Sequence, residues 1–539
     1  LYQLTGQSLR EMLAVGVSEG GWLVGLSAVA ALLFAAVIYA LHRAKPAPGL
    51  SMPRVSVARV VFHTSLVLLA GTTLTAAARL STPTFDLSIA RKPTGRFFSA
   101  IVQSVSDVDG DGFGLLSKPP DPDPWDARVN PFALDVPGDG FDQNGLAGDL
   151  SASAPVYAEG PSTAPEWAWK PVFVLALLET FRADLIGARD GEREITPVLN
   201  ALAHDGVSLD RAFSHNGFTI QSRYHIFTGS LAGMRGATSL VDDFKRNGYQ
   251  TAFFSAQDET FGDWLDVGFA RADVRYDARQ DVDKRFSQFA TPGSLGVPAD
   301  VLRQRIREFL STRDRSRPLF LTVNLQDTHF PYGHARVPRI LNDVTVAKGD
   351  MREENAVAIR AMYLNTAAYV DRSLGEILGD VEQATGQRPV VVALGDHGES
   401  LFEHGFLGHG YDTTDEQTRI AFVARGFQAR FTEPFGQADL RQAIWDGLAL
   451  GPGRPTRTDD PAKRVTQYIG DFNRPHRLAS VTEGQRLTFD LHTRKVRVDD
   501  RPWGEVAGLS TAEFATWADL VQLWERAMLA RSRATPGPR

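Results

Sequence analysis

The segment from Pro389 to Tyr411 most narrowly limits the folds that this chain can adopt. It reads PVVVALGDHGESLFEHGFLGHGY, so that an apolar run ends in a glycine and is followed at once by Asp396 and His397. In an open parallel sheet, ligands bind beyond the carboxyl ends of the strands. A carboxylate and an imidazole at such a strand end can hold one metal ion if the loop turns sharply, which the flanking glycines permit. Taken alone, the tripeptide Asp396-His397-Gly398 also suits an ordinary solvent-exposed turn.

Two other apolar runs end in polar residues. Residues 172–184 (VFVLALLETFRAD) and 318–332 (PLFLTVNLQDTHFPY) each begin with a buried-strand pattern. The first pattern ends at Glu179, and the second runs into a loop that contains His329. A carboxylate at the end of an apolar strand is a natural metal ligand. The alternatives are a solvent-facing residue for Glu179 and an ordinary loop residue for His329.

Thr219 lies at the start of another segment, FTIQSRYHIFTGSL at residues 218–231. Its position predicts an N-cap or first-turn residue of a short helix. A hydroxyl there lies in the positive field of the helix N-terminus, which favours an alkoxide and a nearby phosphate or sulfate. The alternative is that Thr219 only caps the helix.

Strand patterns alternate with helical patterns through the rest of this region. Residues 240–255 read as a helix and then a strand, and residues 355–384 read as one long helix. The alternation predicts an α/β fold in which a mostly parallel central sheet has helices on both faces. Residues 476–499 alternate as a hairpin, which predicts a small antiparallel appendage at the C-terminal end, and residues 511–530 read as an amphipathic terminal helix.

The order of these motifs resembles the alkaline phosphatase/sulfatase superfamily. The motifs are E-T at Glu179, T-I-Q-S-R from Thr219, D-T-H-F-P-Y around His329, and G-D-H-G-E followed by H-G at His409. Within the superfamily, the chain is similar to the membrane-anchored branch that holds lipoteichoic acid synthases and phosphoethanolamine transferases. The likeness covers about residues 170–430.

This resemblance implies a metal site and a covalent mechanism. In that branch a Glu, a Thr nucleophile, an Asp and a His bind one catalytic divalent metal. Those positions correspond here to Glu179, Thr219, Asp396 and His397. His329 and His409 match positions that contact the transferred group or its leaving oxygen. Three oxygen ligands and one nitrogen suit Mn²⁺, Zn²⁺ or Mg²⁺, and attack by the threonine would give a phospho-Thr219 intermediate.

The T-I-Q-S-R segment also aligns with the sulfatase signature C/S-x-P-S-R, whose first residue becomes formylglycine. Here Thr219 stands first, Gln221 replaces the proline, and the chain contains no cysteine. The resemblance therefore argues against a conventional sulfatase. Arg223 is retained, and we expect it to steady the nucleophile or the bound anion through paired N–H donors.

The resemblance leads to one main hypothesis: a metal-dependent transferase or hydrolase that acts on a phosphoester through a phospho-threonine. Its substrate would be a phospholipid headgroup or an envelope glycan. A sulfate or phosphate monoester hydrolase, and a non-catalytic lipid-sensing membrane protein, remain alternatives. Residues 254–264 lack the histidine and arginine with which lipoteichoic acid synthases hold glycerol phosphate. Asp258, Glu259 and Asp263 there suit a cationic headgroup such as phosphoethanolamine, or form an acidic surface loop.

Two long apolar runs occupy the first 80 residues. Residues 20–41 and 60–78 are each long enough to cross a bilayer as a helix, the alternative being a buried core helix. The loop between them carries four basic residues and no acidic one, which favours a cytoplasmic loop. We therefore expect residues 1–80 to be inserted in the bacterial cytoplasmic membrane and residues 170–539 to form a periplasmic or extracellular catalytic domain. The net charge of −7 argues against a nucleic-acid binder.

Residues 81–169 are predicted to link these two parts, and residues 107–149 hold ten aspartates. Aspartates at alternate positions, with a glycine after the third, are typical of loops that wrap oxygen ligands around Ca²⁺. An EF-hand requires glutamate where Lys118 stands, so the segment instead resembles the D-x-D-G-D-G-[FY]-G calcium repeats of bacterial surface proteins. The candidate calcium ligands are Asp107, Asp109, Asp111, Asp121, Asp123 and Asp126. The alternative is an acidic disordered linker.

Overall fold

The computed structural model describes residues 65, 69–71, 73, 93–152, 164–232, 236–262, 266–286 and 292–534. The first predicted membrane span lies wholly outside these residues, and the second lies outside them except for residues 65, 69–71 and 73. Among the described residues, no helix combines the length and the apolar character that crossing a membrane requires. The chain divides into two compact units, one formed by residues 1–133 and 142–145 and the other by residues 134–141 and 146–539.

The described part of the first unit includes a helix and a compact acidic loop. Helix α1 (Pro93–Ser106) leads directly into residues 107–133, whose backbone forms turns and bends. The ring centroids of Phe113 and Phe132 lie 5.8 Å apart, so the loop has a small apolar centre of its own. Its turns are held by aspartate side chains that accept backbone N–H groups, as is usual for Asx turns.

The second unit is an α/β fold. Its strands in chain order are β1 (Phe173–Leu178), β2 (Arg189–Asp190), β3 (Arg193–Glu194), β4 (Val207–Ser208), β5 (Ala212–Phe213), β6 (Gln250–Ser255), β7 (Val274–Tyr276), β8 (Leu319–Leu325), β9 (Val390–Gly395), β10 (Ser400–Leu401), β11 (Leu407–Gly408), β12 (Phe422–Arg425), β13 (Arg430–Glu433), β14 (Phe435–Gly436), β15 (Thr456–Asp459), β16 (Val465–Asp471), β17 (Arg474–Val481), β18 (Arg486–Asp490), β19 (Lys495–Val498) and β20 (Gly504–Glu505). Its helices are α2 (Pro197–Asp205), α3 (Thr219–Thr228), α4 (Leu240–Arg246), α5 (Ala299–Thr312), α6 (Ala356–Thr385), α7 (Asp415–Thr418), α8 (Leu440–Leu450) and α9 (Thr511–Ala534).

A seven-stranded sheet in the order β4-β12-β9-β1-β8-β6-β7 forms the centre of this unit. Strands β9, β1, β8, β6 and β7 run parallel, whereas β12 is antiparallel to both of its neighbours. Every residue of β1, β8 and β9 is buried, as expected for parallel strands that are covered on both faces. The predicted mostly parallel sheet is confirmed.

Alternate residues of β1 contribute to two separate hydrophobic cores. Val174 and Ala176 pack in a core with apolar residues of α2, α5 and α6. Phe173 and Leu175 pack in a second core with apolar residues of α3, α4 and α8. Because successive side chains of a strand point to opposite faces, the helices cover both faces of the sheet, as predicted.

The C-terminal appendage is antiparallel, as predicted, but it is larger than the expected hairpin over residues 476–499. Strands β16 to β20 form a five-stranded sheet in chain order. The outer strands were not predicted because the first five residues of β16 are all buried and so do not alternate, and because β20 has only two residues. Helix α9 packs against this sheet, where the Trp524 Nε1–H group donates a hydrogen bond of 3.0 Å to the carbonyl of Phe472.

Candidate active site

The sheet topology explains why Glu179 and Asp396 lie together. Strands β1 and β9 are parallel neighbours, with Leu178 paired to Gly395. The residue that follows each strand therefore leaves the sheet at the same carboxyl edge. The left-handed backbone of Thr180 (φ 54°) turns the chain sharply after Glu179.

Helix α3 places the Thr219 hydroxyl at this edge, as its first residue. The Thr219 Oγ1–H group donates a hydrogen bond of 2.7 Å to Glu179 Oε1, and Oγ1 lies 3.3 Å from His397 Nε2. His397 Nε2 in turn lies 3.4 Å from Asp396 Oδ2. The structure thus brings together all four residues of the predicted metal site.

Two buried carboxylates at such close range require a compensating positive charge. Burial and the neighbouring Asp396 carboxylate raise the pKa of Glu179 well above its ordinary value, although Arg223 opposes that shift. Burial lowers the pKa of His397, which leaves its imidazole neutral near pH 7. These are the effects expected of buried ionisable groups. Without a cation the cluster would favour protonated Glu179.

The hydrogen bonds of the cluster leave free the atoms that a metal would need. Asp396 Oδ1 accepts hydrogen bonds from the backbone N–H groups of Thr180 (3.0 Å) and His397 (2.8 Å). Glu179 Oε2 and Asp396 Oδ2 are also buried, yet neither receives a hydrogen bond from any described residue. Each of Glu179, Asp396 and His397 offers a ligand atom, and these atoms lie within 4.8 Å of one another. The donor set of carboxylate, hydroxyl and imidazole fits one divalent ion such as Mn²⁺, Zn²⁺ or Mg²⁺.

His409 lies beside this cluster and is held by a residue that the sequence analysis did not assign. His409 Nδ1 lies 2.6 Å from Glu399 Oε2, and the Tyr332 hydroxyl donates a short hydrogen bond to the other Glu399 oxygen. Glu399 is fully buried, and burial raises its pKa to about 7. The His409 and His397 ring centroids are 4.2 Å apart. Glu399 was available to sequence reasoning as the last residue of the G-D-H-G-E motif.

His329 lies on the other side of His409, with ring centroids 5.5 Å apart. Its Nδ1 lies 3.1 Å from the Phe330 carbonyl oxygen, so Nδ1 is the donating nitrogen. Desolvation, together with neighbouring His409, lowers the pKa of His329 to about 4. His329 is therefore a neutral imidazole at physiological pH, suited to accept a hydrogen bond through Nε2.

Arg223 lies one turn beyond Thr219 on α3, but its guanidinium makes its hydrogen bonds towards the end of β6. Nη2 donates a hydrogen bond of 2.6 Å to Gln257 Oε1, and Nη1 forms a short ion pair with Glu259. The Nε–H group is buried and has no hydrogen-bond partner in the described structure. The positive charge of Arg223 nevertheless acts on Glu179, where it partly offsets the rise in pKa that burial and Asp396 cause. The sequence analysis did not identify Gln257 as a partner.

The described acidic residues after β6 already form ion pairs within the protein, so they are not free to bind the cationic headgroup that the sequence analysis considered. Glu259 is paired with Arg223. Asp258 is buried and paired with Arg285 at 3.0 Å. Asp263 lies outside the described residues. Both described acids are therefore internally neutralised.

A separate cluster of carboxylates lies in the Asp-rich loop, which belongs to the first unit. Oxygens of Asp107, Asp109 and Asp111 lie within 4.8 Å of one another. The Asp107 carboxylate accepts the N–H groups of Gly110 (2.9 Å) and Gly112 (3.0 Å), both of which have the positive φ that glycine adopts readily. One oxygen each of Asp109 and Asp111 is buried and receives no hydrogen bond within the described residues.

The other three predicted calcium ligands differ from one another. Asp121 has a buried oxygen without a hydrogen-bond partner among the described groups, and burial, together with the Asp111 and Asp109 carboxylates, raises its pKa to about 6. Asp123 accepts the backbone N–H of Trp125 at 3.2 Å. Asp126 pairs with Arg128 instead, with an Nε to Oδ1 distance of 2.9 Å.

Comparison with known proteins identifies a related family and a shared fold. Residues 171–429 match the family model described as Sulfatase. No curated protein matches the sequence. The solved structures that resemble the chain include yidJ from Bacteroides fragilis, at 17% identity and a TM-score of 0.50 over 68% of this chain and 98% of that one. That likeness supports the shared α/β fold.

Two further solved structures are similar at lower scores. The lipoteichoic acid synthase LtaP from Listeria monocytogenes is 15% identical with a TM-score of 0.47, over 71% of this chain and 95% of that chain. The C-terminal periplasmic domain of EcEptC from Escherichia coli, in complex with Zn, is 17% identical with a TM-score of 0.43, over 59% and 94%. The family match rests on the sequence of residues 171–429, the region that also carries the Glu179, Thr219, Asp396 and His397 cluster. The chain is therefore similar to the Sulfatase family over residues 171–429.

Proposed function

We propose that the chain is a metal-dependent enzyme that transfers or hydrolyses a phosphoester group through a phospho-Thr219 intermediate. The single observation that carries the proposal is the 2.7 Å contact between Thr219 Oγ1 and Glu179, inside a buried group of carboxylates with unsatisfied oxygens. A phosphoester is favoured over a sulfate ester because a threonine, in a chain without cysteine, cannot follow the formylglycine route. The proposed substrate is a phospholipid headgroup or an envelope glycan.

Glu179, Asp396 and His397, with the Thr219 hydroxyl, would hold the divalent cation. When bound, it would supply positive charge that favours the alkoxide form of Thr219 and offsets the negative charge of the phosphoryl group. Thr219 is already oriented by its hydrogen bond to Glu179. The field of the α3 N-terminus acts on the same oxygen in the same sense.

The first chemical step would transfer the phosphoryl group to the protein. After loss of its proton to solvent, Thr219 Oγ1 forms a bond to phosphorus while the bond between phosphorus and the leaving oxygen breaks. The leaving oxygen takes a proton from Nε2 of His409. The Glu399 carboxylate at Nδ1 stabilises the imidazolium form of His409 that this step requires.

The second step would release the phosphoryl group. A water or an alcohol attacks phosphorus, gives its proton to His409 and displaces Thr219 as an alkoxide, which restores the starting protonation of His409. Water gives hydrolysis and an alcohol gives transfer, so both outcomes use the same residues. Neutral His329 would accept a hydrogen bond from the entering or leaving hydroxyl group.

Two further parts of the proposal rest on the sequence and on the Asp-rich loop. The apolar runs at residues 20–41 and 60–78 support insertion in the bacterial cytoplasmic membrane, with the catalytic residues on its outer side. The buried oxygens of Asp109, Asp111 and Asp121 that lack hydrogen bonds support Ca²⁺ binding in the first unit.

Turnover of envelope phospholipids by the full chain with Mn²⁺ or Zn²⁺ tests the proposed function. We expect Thr219→Ala to abolish release of the headgroup phosphate ester while bound metal is retained. Thr219→Ser, which keeps a hydroxyl, should keep measurable turnover. Equal turnover by the alanine variant and the wild type would contradict a threonine nucleophile.

A further inference from the structure

The residue before Thr219 packs directly on the residue after His409. The ring of Phe218 lies so close to the backbone of Gly410 that a Cβ atom there would be 2.6 Å from Phe218 Cε2 and 2.7 Å from Cε1. Carbon atoms pack at about 3.5 to 4.0 Å, so no side chain fits between the ring and this backbone. The chain neighbours of the proposed nucleophile and of the proposed acid are therefore in contact.

Two further observations describe the same contact between the loops. A Cβ atom at Gly217 would lie 2.9 Å from the Gly410 nitrogen and 3.0 Å from its Cα, so the two backbones also approach closely. Gly410 has a φ of 75°, which glycine adopts readily. The Phe218 and His409 ring centroids are 6.1 Å apart in an edge-to-face arrangement. The loops are thus joined by backbone and by one aromatic ring.

The backbone that carries the Phe218 ring is held independently of His409. The Phe218 N–H group donates a hydrogen bond of 3.0 Å to Oδ1 of Asn216, which is fully buried. The Ser222 hydroxyl donates a hydrogen bond of 3.0 Å to the Asn216 carbonyl, and Asn216 Nδ2 donates one of 3.3 Å to the Gly470 carbonyl. Asn216 therefore ties the start of α3 to β16 and gives the ring a fixed support.

The position of the His409 ring depends on a side-chain contact and on a backbone contact. Glu399 Oε2 lies 2.6 Å from His409 Nδ1, which orients the ring. The packing of Phe218 on Gly410 acts instead on the backbone next to His409. Rotation of the ring and placement of its backbone together determine where Nε2 lies.

We infer that Phe218 is a positioning residue, which through Gly410 sets the distance between the Thr219 hydroxyl and Nε2 of His409. In an in-line displacement the attacking and leaving oxygens lie on opposite sides of phosphorus. This distance therefore decides whether His409 reaches the leaving oxygen. A misplacement of about 1 Å can slow a reaction by about a hundredfold. The inference rests on the proposed function, and it adds Phe218 and Gly410 to the residues on which that mechanism depends.

Kinetics of the full chain with Mn²⁺ on two kinds of ester test this role. Phosphatidylethanolamine and phosphatidylglycerol have an alkyl leaving oxygen, which needs a proton. The p-nitrophenyl esters of phosphoethanolamine and of glycerol phosphate carry the same transferred groups, and p-nitrophenolate leaves without one.

Phe218→Ala removes the ring that supports Gly410, and Phe218 is only half-buried, so we expect the variant to fold. Its kcat/KM should fall by roughly a hundredfold for the phospholipids. The loss should be at least about tenfold smaller for the p-nitrophenyl esters. Phe218→Leu keeps an apolar side chain against Gly410, so its loss should lie between wild type and Phe218→Ala.

A double-mutant cycle locates the effect at the contact itself. Gly410→Ala should show the same dependence on the leaving group, because its methyl group would overlap the Phe218 ring. In the Phe218→Ala background that overlap is gone, so the loss from Gly410→Ala should be at least about fivefold smaller.

Gly408→Ala is the matched control for backbone strain. Gly408 also has a positive φ, of 113°, but a Cβ atom there would face Tyr411 at 3.3 Å rather than Phe218. Its loss should be the same in both backgrounds. If Gly410→Ala fails to fold, the comparison of Phe218→Ala with Phe218→Leu on the two kinds of ester still decides the question.

Failure of the inference and failure of the proposed function give different results. Equal losses on both kinds of ester, or losses from the Phe218 and Gly410 variants that simply multiply, would assign these residues to the fold alone and overturn the inference. Thr219-dependent turnover would still stand in those cases. Turnover that Thr219→Ala leaves unchanged would contradict the nucleophile. Absence of turnover by the wild type would contradict the proposed function and the inference together.

Discussion

The Thr219 hydroxyl donates a hydrogen bond of 2.7 Å to Glu179, which lies 40 positions earlier in the chain. This contact exists because α3 begins at the carboxyl edge of the sheet, where β1 delivers Glu179 and β9 delivers Asp396. The proposed nucleophile and the acidic part of the proposed metal site are therefore placed by three separate elements, α3, β1 and β9, at one edge of the sheet.

Replacing Glu179 should separate the stability that the metal contributes from the stability of the protein without metal. Glu179→Gln removes the cost of burying or protonating a carboxyl group beside Asp396, so we expect a higher melting temperature than wild type without metal. With Mn²⁺ the wild type should gain stability, by about 2.7 kcal/mol at a hundredfold excess over Kd, and the variant should gain much less. Calorimetric scans with and without Mn²⁺ measure both quantities. Glu382→Gln, at an exposed position, is the control, and an equal Mn²⁺ response in both variants would contradict the metal site.

Glu399 should matter most for substrates whose leaving oxygen needs a proton. Glu399→Gln keeps the side-chain size but removes the charge next to His409 Nδ1, so the imidazolium becomes less stable. We expect kcat/KM to fall by roughly a hundredfold for an alkyl phosphodiester. The loss should be at least about tenfold smaller for a p-nitrophenyl ester, because p-nitrophenolate leaves without protonation. Equal losses for both substrates would show that Glu399 has only a structural role.

Asp371 should make the stability of the second unit depend on pH. Its carboxylate accepts the N–H groups of Val198 and Leu199, both at 2.9 Å, at the start of α2, yet burial raises its pKa to about 7. The folded state therefore binds a proton more tightly than the unfolded state does.

The sign of the effect follows from that difference in pKa. Stability from protonated Asp371 is fully present below about pH 4 and is lost as the pH rises to about 7, by at most roughly 1.4 kcal/mol per pH unit. Asp371→Asn should remove this slope, so the variant gains relative to wild type as the pH rises. Denaturant unfolding at several pH values measures it, with Asp446→Asn on the exposed side of α8 as the control. An unchanged slope in Asp371→Asn would contradict the raised pKa.

Calcium binding in the first unit should depend on some aspartates and not on others. Asp109→Asn and Asp111→Asn should each weaken Ca²⁺ binding about tenfold or more, because each removes a charged oxygen ligand. Asp126→Asn should leave it nearly unchanged, because Asp126 is paired with Arg128. Protonation of Asp121, whose pKa is raised to about 6, should weaken binding as the pH falls below that value. Calorimetry at millimolar Ca²⁺, on the three variants and on wild type at several pH values, tests these expectations. No binding, or equal effects of Asp109→Asn and Asp126→Asn, would contradict the site.

Strand ends were the part of the site that the sequence predicted best. Glu179, His329 and Asp396 each follow an apolar run, and parallel strands deliver their ends to one edge, so their proximity followed from the pattern. Glu399 and Gln257 were not identified as partners because hydrogen bonds between distant buried side chains leave no periodic signal. The pairing of Asp126 with Arg128, only two residues away, was open to local reasoning.

The C-terminal sheet shows a different limit of prediction. Residues 476–499 alternate clearly, and β17 and β18 pair there as an antiparallel hairpin. The first five residues of β16 are all buried and do not alternate, so that strand gave no comparable signal.

The most direct test of the central claim is the intact mass of the protein after brief incubation with envelope phospholipids and Mn²⁺ or Zn²⁺, followed by peptide mapping. We expect an added mass on wild type, located at Thr219 and absent from Thr219→Ala, and that mass identifies the transferred group. An adduct on another residue, or the same adduct on the alanine variant, would contradict a Thr219 nucleophile.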